Sequence, residues 1–319
     1  MKTITLEEHF VTTEFLKATG GLGSGFPAEL ARVREQLLDL GEGRLRAMDE
    51  GGVDLQVLSL AAIGMDKLHR DDENAVLKSV HDEAAAAVRA HPDRFAAFVT
   101  AGLHNVPEAI REVERGINQL GFKGVFVDGT TNGKFLDHED FFPFLEAVQS
   151  LNAPLYIHPA PPPAAVRDAY FSGLPGSAGY LLSIAGWGWH SETALHVLRL
   201  IVPGVLDRLP RLQIIIGHMG EGLPFALARS NAVLSFGLHL KRSVAETFAQ
   251  QVSITTSGYF TRPPFECARA VVGLERMMYS VDYPFSPNTN GQKFLDSLEL
   301  NDTDRAALAH GNAERILKL

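Results

Sequence analysis

Six ionisable residues follow apolar runs of the chain, and their side chains are carboxylates and imidazoles. They are Glu7, His9, Asp128, His158, His218 and Asp282. Mixed sets of imidazole and carboxylate suit Zn²⁺, Mn²⁺ or Fe²⁺, whereas Ca²⁺ and Mg²⁺ more usually take oxygen ligands alone. The sequence therefore predicts a site for one divalent ion, with Glu7, His9, His158 and Asp282 as its ligands.

The spacing of Glu7 and His9 suits ligands on a strand. Side chains alternate across a strand, so these two residues share a face about 6–7 Å apart along the backbone, and Glu8 points away. Both side chains can then reach one ion between them. A lone Glu-x-His pair is also compatible with an exposed strand end, so the prediction depends on the distant partners His158 and Asp282.

Two further residue patterns indicate proton transfer. In GHMGEGLP a turn separates His218 from Glu221, so the carboxylate can orient the imidazole, and an imidazole so held can act as a general acid or base near neutral pH. The alternatives are that His218 is a fifth ligand or that the pair caps a helix. Asp282, in SVDYPF, is expected both to ligate the ion and to transfer a proton.

These residues must be positioned by strands, and eight β-rich runs are present. They are TITLEEHF, DLQVLSL, FAAFVTAG, KGVFVDG, APLYIHP, LQIIIGHMG, VSITTSG and MMYSVDYP. Several are almost continuously apolar, as in parallel strands covered on both faces, and amphipathic helical segments separate them. The pattern predicts a (β/α)8 barrel, in which catalytic groups lie where the strands end.

The bulk composition favours one soluble domain spanning residues 1–319. Apolar residues make up 45% and charged residues 21% of the 319 residues, and the formal net charge of −9 disfavours nucleic acid as a partner. No apolar stretch is long enough for a membrane span. The single cysteine, Cys267, excludes internal disulfides, so we expect a cytoplasmic protein. Two irregular segments, GGLGSGFP and PAPPPAAVRDAYFSGLPGSAGY, are expected to cover the site as loops.

Other residues are candidates for binding the substrate. Trp187 and Trp189, in AGWGWHSETALH, could form an aromatic wall, although tryptophans here are equally typical of core. Arg229 could neutralise a carboxylate or pair with Glu221, with a surface salt bridge as the alternative. The nearby His190 and His196 are expected to be structural.

The ordered motifs resemble those of the amidohydrolase-related metal-dependent decarboxylases, and most of all the γ-resorcylate and 2,3-dihydroxybenzoate decarboxylase group. The motifs are LEEHF, LYIHP, ETALHVLRL, DRLPRLQIIIGHMGEGLPF, ITTSG, YSVDYPF and HGNAERIL. The resemblance implies a (β/α)8 barrel, a single Mn²⁺ or Zn²⁺ ion, and a homodimer or homotetramer. The family's ligands fall on Glu7, His9, His158 and Asp282, and its catalytic pair falls on His218 and Glu221.

The same resemblance implies nonoxidative loss of CO₂ from an ortho-hydroxylated aromatic acid, reversible at high bicarbonate. The ion would bind a carboxylate oxygen and the adjacent phenolate, and Asp282 would protonate the ring carbon that bears the carboxylate. The chain departs from the family at Val127-Asp128-Gly129, where Asn is expected in place of Asp128. Asp128 is therefore a candidate substrate-binding residue whose charge must be protonated or paired.

Two other functions are compatible with this sequence. One is a hydrolase of the same superfamily, such as a lactonase with a metal-activated water. Binuclear relatives carry His-x-His on the first strand and a carboxylated lysine at the end of the fourth, whereas this chain has Glu7-Glu8-His9 and Asp128. The other is a noncatalytic barrel that binds metal structurally, although structural zinc sites more often close with Cys and His.

Overall fold

In the computed structural model, which describes residues 1–21, 31–238 and 240–319, parallel strands follow the apolar runs of the sequence. They are β1 (Ile4–Phe10), β2 (Leu55–Leu60), β3 (Phe95–Ala97), β4 (Val99–Thr100), β5 (Val125–Asp128), β6 (Leu155–His158), β7 (Ile214–Ile216), β8 (Val252–Thr255) and β9 (Met277–Met278). The third predicted strand is divided at Phe98 into β3 and β4. The Phe98 amide still donates to the Leu58 carbonyl of β2 at 3.0 Å, so β3 and β4 occupy one position in the sheet.

The strands pair in chain order, β1 to β3 in one set and β4 to β9 in another, and every pairing is parallel. The last and first strands of the barrel are joined by hydrogen bonds that lie outside the strand ladders. The His9 amide donates to the Tyr283 carbonyl at 2.7 Å, and Ser280 Oγ accepts from the Glu7 amide at 2.9 Å. The eight strand positions thus follow one another around a ring. The (β/α)8 prediction is confirmed.

Helices occupy most of the connections between strands. They are α1 (Thr13–Ala18), α2 (Ala31–Leu38), α3 (Glu42–Glu50), α4 (Glu73–Ala90), α5 (Val106–Asn118), α6 (Phe142–Ser150), α7 (Ala164–Tyr170), α8 (Ala178–Ser183), α9 (Gly188–Ile201), α10 (Val205–Arg208), α11 (Leu223–Gly237), α12 (Val244–Gln251), α13 (Arg262–Val272), α14 (Asn288–Ser297), α15 (Asp302–Ala306) and α16 (Asn312–Leu317). The Asn105 side chain caps α5 by accepting from the Glu108 amide at 3.4 Å. In the described ranges, no helix is long and apolar enough to span a bilayer.

The two segments expected to be irregular loops have different outcomes. The second, residues 159–180, contains α7 and the start of α8, because its alanine-rich middle favours helix once the proline run has ended. Most of the first, GGLGSGFP, lies among residues 22–30, outside the described residues.

Apolar side chains fill the barrel below the polar mouth. Ile4, Leu6, Phe126 and Tyr156 belong to this inner cluster, and all are fully buried. A larger apolar layer lies between the strands and the surrounding helices. The inner cluster forms the floor on which the ionisable residues at the strand ends rest.

Candidate active site

Glu7 and His9 reach the mouth of the barrel from β1, and both are buried. The register with β2 shifts between Thr5 and Glu8, so β1 carries an extra residue relative to β2. Ser59 of β2 lies 3.1 Å from His9 Nδ1 through its Oγ. This contact leaves His9 Nε2 directed to Asp282, whose Oδ1 is 3.3 Å away.

His158 and His218 converge on the same carboxylate from β6 and from the turn after β7. Their Nε2 atoms lie 3.2 and 3.4 Å from Glu7 Oε1. Ligand atoms of Glu7, His9 and His158 lie within 4.8 Å of one another, and so do those of Glu7, His218 and Asp282. The structure thus brings the four predicted ligands together, with His218 beside them.

The two oxygens of Glu7 have very different surroundings. Oε2 accepts from the Tyr156 hydroxyl and from Ser257 Oγ, the latter at 2.5 Å. Oε1 is buried and accepts no hydrogen bond from the described residues. A buried carboxylate oxygen without a donor is costly unless a cation meets it. The donor set therefore fits one divalent ion, which Glu7, His9, His158 and Asp282 would hold.

The electrostatics of these side chains also favour a cation. Burial alone would lower the pKa of His218, but the Glu221 and Glu7 carboxylates outweigh it and raise the pKa to about 10. Burial would likewise lower the pKa of His158, but the Asp128 and Glu7 carboxylates outweigh it and raise that pKa to about 9. The cluster thus attracts positive charge. A metal ion would take the place of the proton on His158, since imidazole binds metal in its neutral form.

Asp128 lies behind His158. Its Oδ1 is 3.1 Å from His158 Nδ1, and its Oδ2 is buried with no hydrogen-bond partner among the described residues. Burial raises the pKa of Asp128, although His158 opposes the shift. Asp128 is therefore placed to orient an imidazole whose other nitrogen faces the ligand cluster.

Glu221 bridges two histidines. Its Oε1 lies 2.7 Å from His218 Nδ1, and its Oε2 lies 2.5 Å from His190 Nδ1. His190 was expected to be structural, yet its ring centroid lies 5.0 Å from that of His218. No sequence pattern indicated this contact, because His190 and Glu221 are 31 positions apart and share no local motif. His196, by contrast, is buried in α9 and accepts from the Leu136 amide at 3.0 Å.

A cavity of about 320 Å³ opens above the cluster. Its polar lining includes His9, His158, His218 and Asp282. Its apolar walls include Ile63, Tyr180, Leu181, Ile184, Trp189 and Phe285. No lysine or arginine of the described residues lines it. A planar aromatic molecule therefore meets apolar walls on the sides and the ligand cluster below.

The remaining predicted substrate-binding residues are placed differently from one another. Trp189 is partly buried, lines the cavity, and has a buried indole Nε1 without an acceptor among the described residues. Trp187 is 62% exposed and lines a separate groove that lies outside this cavity. Arg229 is exposed on α11 and lines neither the cavity nor the groove.

Comparison with known proteins gives one family. A family model described as amidohydrolase, Amidohydro_2, matches residues 23–319. The decarboxylase orsB of Emericella nidulans is 34% identical over 326 residues, which cover 99% of this chain and 97% of that protein. The γ-resorcylate decarboxylase of Polaromonas sp. JS666 is 32% identical, covering 99% of this chain and 98% of that protein.

A solved structure is similar over the whole chain. It is the dihydroxybenzoic acid decarboxylase of Polaromonas sp. JS666 with bound manganese and the inhibitor 2-nitroresorcinol. The TM-score is 0.89 at 31% identity, and the match covers 100% of this chain and 97% of that one. The resemblance predicted from the sequence motifs is confirmed.

Proposed function

The chain belongs to the amidohydrolase family, and on that premise we propose that it catalyses metal-dependent, nonoxidative decarboxylation of an ortho-hydroxylated aromatic carboxylic acid. The observation that carries the proposal is Glu7 Oε1, a buried oxygen without a hydrogen-bond donor among the described residues, 3.2 Å from His158 Nε2. This oxygen lies below an aromatic-lined cavity. The named decarboxylase relatives support this reaction over lactone hydrolysis.

Glu7, His9, His158 and Asp282 would hold the ion, and manganese in the similar Polaromonas structure makes Mn²⁺ the first choice over Zn²⁺. When bound, the ion would stabilise negative charge on the substrate carboxylate and the neighbouring phenolate. No lysine or arginine of the described residues lines the cavity, so no side chain of those two kinds can take over the charge stabilisation that the ion would supply. The reaction should therefore depend strictly on metal.

Asp282 is the proposed proton donor. It lines the cavity and lies within ligand distance of Glu7 and His218. Proton transfer from its carboxyl to the ring carbon bearing the carboxylate forms a C–H bond and interrupts aromaticity. The carbon–carboxylate bond then breaks, its electron pair restores the ring, and CO₂ leaves. The released carboxylate of Asp282 regains a proton before the next turnover.

His218, Glu221 and Trp189 have supporting roles in this proposal. His218, oriented by Glu221, holds a positive charge beside the reacting carboxylate and phenol oxygens. The free Nε1–H of Trp189 is a donor for a substrate oxygen. Asp128 acts on the substrate only through His158, because its contact lies on the far side of that ring.

A hydroxybenzoate panel tests the reaction. Protein stripped of metal should release no CO₂, and Mn²⁺ should restore release from ortho-hydroxybenzoates but not from 4-hydroxybenzoate, which lacks the ortho hydroxyl. Asp282→Asn should lower kcat by about 10²- to 10⁴-fold while circular dichroism remains unchanged. Acid release from a lactone panel without CO₂ from any hydroxybenzoate would overturn the proposal.

We also propose that the protein is a homodimer or homotetramer. Phe225 and Phe236 on α11 are 87% and 95% exposed, with Val233 between them. With Arg229 they follow one another along α11 at steps of four, four and three residues, a spacing that places all four on one face of the helix. Large exposed apolar patches mark association surfaces. Arg229 is thereby assigned to this surface, since it does not line the cavity of its own chain.

The cytoplasm is the proposed location. Support comes from composition, since Cys267 is the only cysteine and internal disulfides are excluded. Fractionation of native cells with an antibody against the chain tests this assignment, and recovery in a membrane or secreted fraction would contradict it.

A further inference from the structure

Glu8 is a fully buried carboxylate that the proposed reaction does not use. It lies between Glu7 and His9 in β1, and its side chain points out of the barrel toward the segment that follows β9. Buried carboxylates are rare unless their oxygens are well satisfied. The identity of its partners therefore indicates what Glu8 does.

Those partners flank Asp282. Glu8 Oε1 accepts from the Val281 amide at 3.0 Å, and Oε2 accepts from the Tyr283 amide at 3.1 Å. Ser280 Oγ donates to Oε1 at 3.0 Å. One side chain of β1 thus holds the backbone on both sides of the last predicted metal ligand.

The backbone at Asp282 needs such support. Its φ is +72°, a left-handed backbone conformation that residues other than glycine adopt rarely and at a cost in free energy. The strand β9 already ends at Met278, so the segment around Asp282 lies beyond the strand ladder. On its other side it is held by Thr256, whose Oγ1 accepts from the Ser280 amide at 3.0 Å.

A second arm of the same network reaches His9. Gln56 Nε2 lies 3.4 Å from Glu8 Oε2, and Gln56 Oε1 lies 3.3 Å from a guanidinium nitrogen of Arg44. Arg44 is fully buried and donates to the His9 carbonyl at 2.5 Å. The network therefore joins the backbone of one ligand, His9, to the backbone around another, Asp282.

We propose that Glu8 is a positioning residue that sets the distance between Asp282 and the Glu7–His9 pair, and thereby the affinity of the site for its metal. The proposal rests on the metal site of the proposed function. It does not depend on the reaction, because metal affinity is measured without substrate. Wild-type protein that binds Mn²⁺ but releases no CO₂ would refute the reaction and leave this inference open to test.

The test is a Mn²⁺ titration of full-length Glu8→Gln by calorimetry, beside wild type. Glutamine keeps the size of the side chain, but its amide nitrogen cannot accept from a backbone amide. Loss of such supporting contacts behind a ligand costs about 10- to 100-fold in metal affinity, and that weakening is the expected result. The kcat of the Mn²⁺-saturated variant should also fall, because Asp282 is displaced.

Glu73→Gln is the matched control. Glu73 is also buried, and it accepts from the amide of His104 at 3.1 Å and from the Nδ1 of His104 at 2.7 Å; among the described residues it makes no hydrogen bond to residues 280–283. This variant should lower the Tm but keep wild-type Mn²⁺ affinity. If Glu8 had a merely structural role, Glu8→Gln and Glu73→Gln would both lower the Tm and both keep wild-type Mn²⁺ affinity.

Ser280→Ala provides a second variant if Glu8→Gln does not fold. It removes the hydroxyl that donates to Glu8 and accepts from the Glu7 amide, and it should weaken Mn²⁺ binding by about 3- to 10-fold. Mn²⁺ affinity within about twofold of wild type in the folded variant overturns the proposal. A loss of Mn²⁺ affinity in Glu73→Gln equal to that in Glu8→Gln also overturns it.

Discussion

Residues other than glycine with left-handed backbone angles are concentrated at the mouth of the barrel. His218, Met219, Glu221 and Asp282 have φ of 48°, 57°, 56° and 72°. Each such residue costs about 1–3 kcal/mol unless its surroundings hold it. Three of the four are proposed to act in the reaction. The packing that maintains them is therefore as much a part of the site as the side chains.

Gly217 shows how closely the site is packed. A Cβ at this position would lie 2.4 Å from Glu7 Oε2, and that oxygen is held by Tyr156 and Ser257. Because the added methyl group would overlap Glu7, Gly217→Ala should push Glu7 away from these two hydrogen-bond donors and lower kcat/KM by about 10²-fold. Steady-state assays at saturating Mn²⁺ measure this loss.

Gly311→Ala is the control for that substitution, since its Cβ would lie 3.6 Å from the nearest atom, the Ala306 carbonyl oxygen. It should retain wild-type kcat/KM. Full activity in Gly217→Ala would show that Glu7 does not need the position it occupies.

His218→Ala separates catalysis from ligation. The imidazole is oriented by Glu221 at 2.7 Å, and we expect the variant to keep Mn²⁺ while kcat falls by about 10²- to 10⁴-fold. Elemental analysis and a single-turnover assay measure the two quantities. Loss of the metal together with activity would make His218 a fifth ligand.

At the scale of the strand, a bulge in β1 determines which residues face inward. Ile4 and Leu6 belong to the apolar cluster inside the barrel, whereas Glu7 and His9 reach the ligand cluster. The register shift between Thr5 and Glu8 changes the phase of the alternation. Without it, the inward positions would continue from Leu6 to Glu8, and both ligands would face outward.

At the scale of the helix, His196 anchors α9 to the segment after β5 by accepting from the Leu136 amide. Burial lowers the pKa of His196 to about 3, below its ordinary 6.5. The unfolded chain therefore binds a proton below about pH 6.5 that the folded chain excludes. The stability that neutral His196 contributes is complete above that pH and is lost as pH falls toward 3.

His196→Gln tests this pH dependence, because glutamine supplies an acceptor that does not titrate. Below about pH 6.5, wild type should lose stability relative to the variant by about 1.4 kcal/mol per pH unit. Urea unfolding at several pH values measures the difference. Parallel pH profiles for the two proteins would contradict the assignment.

At the scale of the whole molecule, the exposed face of α11 predicts association. A Phe225→Asp, Phe236→Asp double variant places two charges on this face, and it should lower the molar mass in solution to that of one chain, 34.8 kDa. Light scattering after gel filtration measures the mass. Leu319→Asp, at an exposed apolar position on the C-terminal residue, should leave the mass of the assembly unchanged. A wild type that is itself monomeric would refute the proposed assembly.

The sequence by itself determined the barrel and the ring of ionisable residues at its mouth. Both follow from local patterns, since apolar runs mark buried parallel strands and a residue such as His158 or Asp282 lies where its run ends. The Glu7–His9 spacing likewise indicates a shared face. Such inferences need only the period of a strand and the direction common to all strands.

Tertiary structure alone decided contacts that depend on the path of the chain between elements. The approach of His190 to Glu221, the separation of Trp189 from Trp187 and the exposure of Arg229 all depend on how loops and helices pack above the barrel. The role of Asp128 depends on the pairing of β5 with β6, which places it beside His158. Side-chain identity does not carry this information, because packing of distant segments determines which neighbour each side chain meets.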